Sequence, residues 1–274
     1  MLNSKQVIIF TDLDGTVLNH HNYAYEAVLP LLASLKERHI PVILNSSKTL
    51  SELQIWQSRL HLDTPMIAEN GGVIRYQDAN GIQTKLIGMP YEQIRSTLTH
   101  LREVNDWAFE GFGDWTVADV MNHTQLSASD AVLATERQVT EPILWQDSEA
   151  HLNSFKTALA IMGLELKKGG RFYHVMAKHD KADAMHYIEN NLEILGLSGE
   201  VTTLALGDGQ NDQSMLDYAD IAIVMPAASG ESLKIEGAIY AQTEAPNGWV
   251  ESIQTALGNR FTQLGNDVLK PFSM

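Results

Sequence analysis

The chain has 274 residues, 44% of them hydrophobic, with 34 acidic against 19 basic side chains and a net charge of −15. That balance argues against a protein that works by coating nucleic acid or anionic membrane. There is no cysteine, which excludes a disulfide framework, a thiolate zinc site and a cysteine nucleophile. The length suits one large domain or two small ones, with a core big enough to need no staple.

The first apolar run, Val7-Ile-Ile-Phe10, predicts a strand buried on both faces. It is too short for a signal-peptide core. A helix is expected from about Ala24 to Arg38, a second strand at Pro41–Leu44, a helix at Thr49–Leu60 and a third strand at Pro65–Ala68. Strand, helix, strand, helix, strand is the rhythm of a parallel sheet with crossover helices. Gly71-Gly72 and Asn80-Gly81 then mark turns between short alternating runs, so hairpins are expected. Helices follow at Pro90–Val104, at Ser127–Arg137 (Ser127 as N-cap) and at Glu149–Met162, with strands at Pro142–Trp145 and Phe172–Met176. The α/β rhythm returns with a helix at Lys181–Leu195 that Gly196 caps, a buried strand at Val201–Leu206, a helix from about Asn211 and a strand at Ile221–Val224. The apolar runs, such as Ile221-Ala-Ile-Val-Met225, are too short to span a bilayer. The expected architecture is an α/β fold: a Rossmann-like parallel-sheet core in two parts, 1–84 and 179–274, with an inserted α+β cap at 85–178. A soluble cytoplasmic protein is expected, with a small-molecule partner and neither nucleic acid nor membrane.

Two motifs carry the chemistry. Asp12-Leu-Asp-Gly-Thr16 leaves the first strand, and residues i and i+2 of an extended chain point to one side. Asp12 and Asp14 can then face one site at the carboxyl end of the sheet, where open α/β folds bind ligands. Gly207-Asp-Gly-Gln-Asn-Asp212 leaves another buried strand and supplies Asp208 and Asp212. Carboxylates so gathered repel unless a cation lies among them. An all-oxygen cluster suits Mg²⁺ better than zinc. Ser46, after the second strand, is either a helix N-cap or a donor to a phosphoryl oxygen. Lys181 is either a solvated surface lysine or a partner for phosphoryl charge. Together the residues compose a reaction. Asp12 attacks phosphorus. Asp14 protonates the leaving oxygen and then activates water. Ser46 and Lys181 hold the transferring oxygens. Asp208 completes the metal site, and Asp212 acts as a ligand or orients one.

These four motifs, in this order, resemble the haloacid dehalogenase (HAD) phosphatases, and the resemblance covers nearly the whole chain. The insertion resembles the α+β cap of the Cof-type (subclass IIB) sugar phosphatases. In that group the resemblance implies Mg²⁺ held by carboxylates matching Asp12 and Asp208 and by the backbone carbonyl matching Asp14. Many Cof-type members carry Thr-Gly-Arg at the second motif, whereas this chain has Ser46-Ser-Lys-Thr49. That tetrapeptide is similar to the mannosyl-3-phosphoglycerate phosphatases. So are Ala68-Glu-Asn-Gly-Gly72, Gly111-Phe112, Ala134-Thr-Glu-Arg137, Glu141-Pro142, Trp145-x-Asp147-Ser148 and Arg171-Phe-Tyr-His174. The resemblance implies hydrolysis of mannosyl-3-phosphoglycerate to mannosylglycerate. Ser47, Lys48, Asn70, Arg137, Arg171, His174 and Asn211 are the substrate-binding candidates, Asn70 among them through the resemblance. The alternatives are another sugar phosphate, such as glucosyl-3-phosphoglycerate or a hexose phosphate, and phosphoryl transfer between sugars by a phosphomutase.

A chain at −15 repels such an anion at long range, so capture needs local cations. Lys48, Arg137, Lys167, Lys168 and Arg171 are available. Arg171 is the candidate for the glycerate carboxylate, because its planar fork accepts one bidentately. A surface salt bridge is the other reading. Trp145 either stacks on a sugar or packs in the core, and His174 is either a core histidine or a substrate contact.

Overall fold

The computed structural model describes residues 6–169, 171–228, 230 and 232–263, with backbone only at 259–263. Residues 1–5, at the start of the first core part expected above, lie outside the described residues. In chain order the elements begin with β1 (Gln6–Thr11), α1 (Leu29–Glu37), β2 (Val42–Asn45), α2 (Leu50–Arg59), β3 (Met66–Ala68), β4 (Val73–Asp78) and β5 (Gly81–Leu86). Next come α3 (Tyr91–Asn105), β6 (Phe109–Gly111), α4 (Val117–Thr124), α5 (Ala128–Thr135), β7 (Thr140–Trp145), α6 (Glu149–Ile161), β8 (Leu164–Lys168) and β9 (Tyr173–Ala177). The last are α7 (Lys181–Glu189), β10 (Val201–Gly207), α8 (Gln213–Tyr218), β11 (Ile221–Val224), β12 (Ile239–Tyr240) and α9 (Asn247–Gln263). They divide into two compact units. One is Met1–Leu44, Leu60–Thr64 and Ile188–Met274; the other is Asn45–Arg59 and Pro65–Tyr187.

In the first unit, strands β12, β11, β10, β1 and β2 lie in that order, and every pairing is parallel. Val7, Ile8, Ile9 and Phe10 are buried, as are Leu204, Ala205 and Leu206 on the neighbouring strand. Such continuous apolar runs are what a strand covered on both faces requires. Trp249 and Ile253 of α9 are fully buried and complete this core.

In the second unit, β3, β4 and β5 pair antiparallel in sequence order. The β4–β5 hairpin turns at Asn80-Gly81, with Gly81 at φ +110 and the Asp78 carboxylate accepting the Asn80 N–H. A separate antiparallel sheet runs β6-β7-β9-β8. Ile94, Leu98 and Leu101 of α3 pack with Leu152, Phe155 and Leu159 of α6 around Phe109, Ile143 and Val175 of that sheet. Spacing i, i+4 and i, i+3 on each helix builds this face. Ser127, the expected N-cap, accepts the Asp130 N–H, and Ser148, not read as a cap from the sequence, accepts the His151 N–H.

Several expected boundaries move. The helix expected from Ala24 begins as a 3-10 turn at Glu26–Val28, and α1 proper starts at Leu29 with Pro30 in its first turn. The helix expected to reach Leu195 stops at Glu189. A separate 3-10 turn, Leu192–Leu195, is the element that Gly196 caps, at φ +66. The helix expected from Asn211 opens as a 3-10 turn at Gln210–Asp212 before α8. Among the described residues no helix is long and apolar enough to cross a membrane.

Candidate active site

Strand register builds the acidic cluster. Thr11 of β1 lies opposite Leu206 of β10, and the Asp12 N–H donates to the Leu206 carbonyl at 2.9 Å. The two strands therefore finish level, and the next residues, Asp12 and Asp208, leave from the same carboxyl edge. Ligand oxygens of Asp12, Asp208 and Asp212 lie within 4.8 Å of one another. Asp12 and Asp212 are buried and Asp208 is half-buried. Three carboxylates this close and this sheltered repel strongly, and a bound cation removes that repulsion. A compact, all-oxygen donor set with no nitrogen or sulfur fits Mg²⁺.

Glycines permit the close approach. A Cβ on Gly207 would lie 2.4 Å from the Asp212 Cβ, so no side chain fits there. Asp212 Oδ2 accepts the N–H groups of Asp208 at 3.0 Å and Gly209 at 2.9 Å, which fixes the loop carrying Asp208. Gly15 sits at φ +77, and a Cβ on it would come within 2.7 Å of Asp208 Oδ2 and 2.8 Å of His20 Nδ1. Its N–H donates to the Leu18 carbonyl, while the Val17 and Leu18 N–H groups both turn back to Leu13. Leu13, between Asp12 and Asp14, is fully buried. Asp14 is half-buried and is not one of the three clustered carboxylates. Asn211 is exposed in the 3-10 turn.

The remaining candidates lie in the second unit. Ser46 is buried; its N–H donates to Ile67 and its carbonyl accepts from Asn70. Its hydroxyl accepts the Lys48 N–H at 3.3 Å, so Ser46 shapes the turn but does not cap the helix. The reciprocal pair at the helix start is Thr49 and Glu52. The Thr49 hydroxyl accepts the Glu52 N–H at 3.2 Å, and the Glu52 carboxylate accepts the Thr49 N–H at 2.9 Å. The helix-cap reading of Ser46 therefore passes to Thr49. Lys181, read as a possible surface lysine, is fully buried. Its carbonyl accepts the Asn45 side-chain amide at 3.1 Å. Asp180 sets this helix start, its Oδ1 accepting the N–H groups of Ala182 and Asp183.

Asn70 occupies a left-handed conformation, φ +57, between Glu69 at +51 and Gly71 at +92. Two consecutive non-glycine residues there are uncommon and costly. The fully buried Glu69 side chain sustains the turn. It accepts from the Gln138 N–H at 2.7 Å, the Val139 N–H at 3.1 Å and the Thr140 hydroxyl at 2.6 Å. Glu69 was quoted in the motif above but given no role. Its signal in the sequence is an acid placed between an apolar strand and two glycines.

The other substrate candidates are distributed. Arg137 commits Nη1 to the Ser47 carbonyl at 3.2 Å and the Thr140 hydroxyl at 3.0 Å, and Nε to the Ala134 carbonyl at 3.1 Å. It ties the Ser47 turn to β7. Lys48 lies 3.8 Å from Glu52. Arg171 is exposed and donates to the His123 carbonyl. His174 has no hydrogen-bond partner for Nδ1 among the described residues. Burial first, and then the Arg137 charge, push its imidazole down to about 3, so it is neutral at physiological pH. Lys167 donates to the His179 carbonyl at 2.8 Å and pairs with Glu165.

Three motif signatures prove to be packing. Trp145 stacks on Phe155 and Phe109 with ring centroids 5.1 and 5.9 Å away, and its indole N–H donates to the Ser148 carbonyl. Asp147 accepts the N–H groups of Ala108 and Ser148. Gly111 makes room for Glu141, whose buried carboxylate takes bonds from Tyr91, Arg95 and the Gly113 N–H.

A family model described as haloacid dehalogenase-like hydrolase matches residues 9–252. The chain belongs to this family. It is also 35% identical, over 90% of its own length and 96% of the relative's, to a glucosyl-3-phosphoglycerate/mannosyl-3-phosphoglycerate phosphatase of Persephonella marina. Solved HAD structures have the same fold. One is a haloalkanoate-superfamily phosphatase from Bacteroides thetaiotaomicron, with TM-score 0.67 at 16% identity, covering 94% of this chain and 97% of that one. Another is a subclass IIB sugar phosphatase, with TM-score 0.62 at 16% identity, covering 93% and 99%. This HAD chain is thus a phosphatase-type hydrolase with a parallel-sheet α/β fold.

Proposed function

We propose that this HAD hydrolase is a Mg²⁺-dependent phosphatase. In this reading it converts mannosyl-3-phosphoglycerate to mannosylglycerate and phosphate, in the cytoplasm. The buried Asp12, Asp208 and Asp212 cluster carries the chemical part of the reading. The relative's name supports the substrate class and favours a second substrate, the glucosyl compound. Residues 85–178 are assigned as the inserted cap between core parts 1–84 and 179–274.

Asp12, Asp208 and the Asp14 carbonyl are the groups we assign to Mg²⁺, with Asp212 as a further ligand or as the group that orients Asp208. Bound there, the ion supplies charge neutralisation that lets one anion approach another. The Asp12 carboxylate attacks phosphorus, forming an aspartyl-phosphate as the bond to the glycerate oxygen breaks. Asp14 delivers its proton to that leaving oxygen. It then takes a proton from water, whose oxygen attacks the aspartyl-phosphate, releases phosphate and restores Asp12. Ser46 and Lys181 are assigned to the phosphoryl oxygens as donor and counter-charge. Ser47, Lys48, Asn70, Arg137, Arg171, His174 and Asn211 are assigned to the rest of the substrate.

The test is phosphate release with Mg²⁺ from mannosyl-3-phosphoglycerate, its glucosyl analogue and hexose phosphates, with Asp12→Asn and EDTA controls. Release from the first two, lost in both controls, supports the reading. Preference for hexose phosphates discards the substrate while keeping the chemistry. A parent that retains phosphate on a sugar would make it a mutase.

A further inference from the structure

Thr11 is the last residue of β1 and is fully buried. Its hydroxyl is committed twice. It donates to the Asp12 carbonyl at 2.8 Å and accepts the Trp249 indole N–H at 3.1 Å. The Asp12 N–H is held by the Leu206 carbonyl. Both main-chain polar groups of Asp12 therefore have fixed partners, one of them tied to a helix 238 residues away in sequence.

The strand by itself gives no reason for a hydroxyl here. The four residues before Thr11 are Val, Ile, Ile and Phe, all buried. Valine has the same branched shape, suits a strand as well and carries no polar atom to satisfy. A threonine hydroxyl has one proton and can rotate. With the Trp249 N–H occupying its acceptor side, that proton is directed to the Asp12 carbonyl. Trp249 is itself fully buried, so its N–H needs this partner.

We infer that Trp249 and Thr11 form a positioning relay. It fixes the main chain at Asp12 and, through it, the direction of the carboxylate. The inference rests on Asp12 being the nucleophile. Neither Thr11 nor Trp249 touches substrate in this account; they act through Asp12. Misplacement of a reacting group by about 1 Å can cost roughly a hundredfold in rate.

The test uses Thr11→Val, Thr11→Ser and Trp249→Phe in the full-length enzyme. Single-turnover rate and substrate affinity are measured separately, with Asp12→Asn as control. Thr11→Val should lose about tenfold to a hundredfold in rate with affinity changed by less than about twofold. Thr11→Ser should recover most of that loss, and Trp249→Phe should fall between them. The Trp249 indole N–H should exchange slowly with solvent in the parent and faster in Thr11→Val. Should Thr11→Val not fold, Trp249→Phe against the parent carries the same comparison. A parental rate in folded Thr11→Val, equal loss in the valine and serine variants, or a rapidly exchanging parental indole would each overturn the relay. An inactive parent, or an active Asp12→Asn, would overturn the nucleophile reading and the relay's purpose with it.

Discussion

Replacing Glu69 by glutamine keeps the shape of the side chain and changes one oxygen into an NH₂ group. The carboxylate uses both oxygens: Oε1 accepts the Gln138 N–H, and Oε2 accepts the Val139 N–H and the Thr140 hydroxyl. Whichever way the amide is placed, an N–H faces at least one buried donor. A buried donor left without its partner costs about 1–3 kcal/mol, and the surviving bonds lose their charge assistance. A total near 2–4 kcal/mol follows. At about 2–4 °C per kcal/mol for a chain of this size, the melting temperature should fall by roughly 4–16 °C. Because Glu69 also shapes the turn carrying Asn70, turnover should drop beyond what partial unfolding explains when assayed well below the transition. Thermal unfolding by circular dichroism and initial rates at 20–25 °C provide both numbers. A Glu69→Gln protein that melts within a degree of the parent would refute the assignment of those three bonds.

Other substitutions separate the roles of the acidic cluster. Gly15→Ala places a Cβ 2.7 Å from Asp208 Oδ2 in a left-handed backbone conformation, so phosphate release should fall at least about tenfold while the fold persists. Asp212→Asn retains an oxygen for the Asp208 and Gly209 N–H groups but removes a charge from the cluster; thermal shift titrations should show metal-free stability no lower than the parent's and weaker Mg²⁺ stabilisation. Asp212→Ala should lose both. Stability should fall as pH drops below 6.5, because His174, held down to about 3 by burial, binds its proton in the unfolded chain before it does so in the folded one. Between pH 6.5 and 5 this contributes up to about 2 kcal/mol, and the trend should flatten in His174→Gln when melting is followed against pH.

The acidic site was legible because its residues sit where apolar runs end. Val7–Phe10 before Asp12 and Val201–Leu206 before Asp208 announce buried strands, and the glycines announce the turns. Lys181 was not legible, since nothing local distinguishes a buried lysine from a solvated one; its burial depends on the distant segments around Asn45 and Gly71. The cap was read at Ser46 alone, and only the Glu52 partnership moves it to Thr49. The helix carrying Trp249 was missed because its turn-rich start, Pro246-Asn-Gly, reads as loop. Short β6, β8 and β12 and helix α4 offered too few residues for a period to emerge. Asp147, Gly111 and Glu141 entered only as motif residues of the resemblance, with no role read from them, and the structure gives them hydrogen-bonding and packing contacts; Trp145 takes the core-packing alternative of its two readings.

What remains is a concentration of unfavourable choices around Lys181. A fully buried ammonium gives up hydration, and at the first residue of α7 it also faces the positive end of the helix dipole. Glu69 and Asn70, both left-handed, add backbone strain on the order of 1–3 kcal/mol each. The two features meet: a Cβ on Gly71 would lie 1.9 Å from the Asp180 carbonyl, so the turn can pack against the residue before Lys181 only because a glycine stands there. His179, next in line, places Nε2 3.2 Å from the Glu69 carbonyl. Core packing would be served better by an apolar residue at 181 and an ordinary turn at 69–71. Local rules broken together, and held in place by a buried carboxylate with three bonds, are the pattern expected of a site shaped for a ligand.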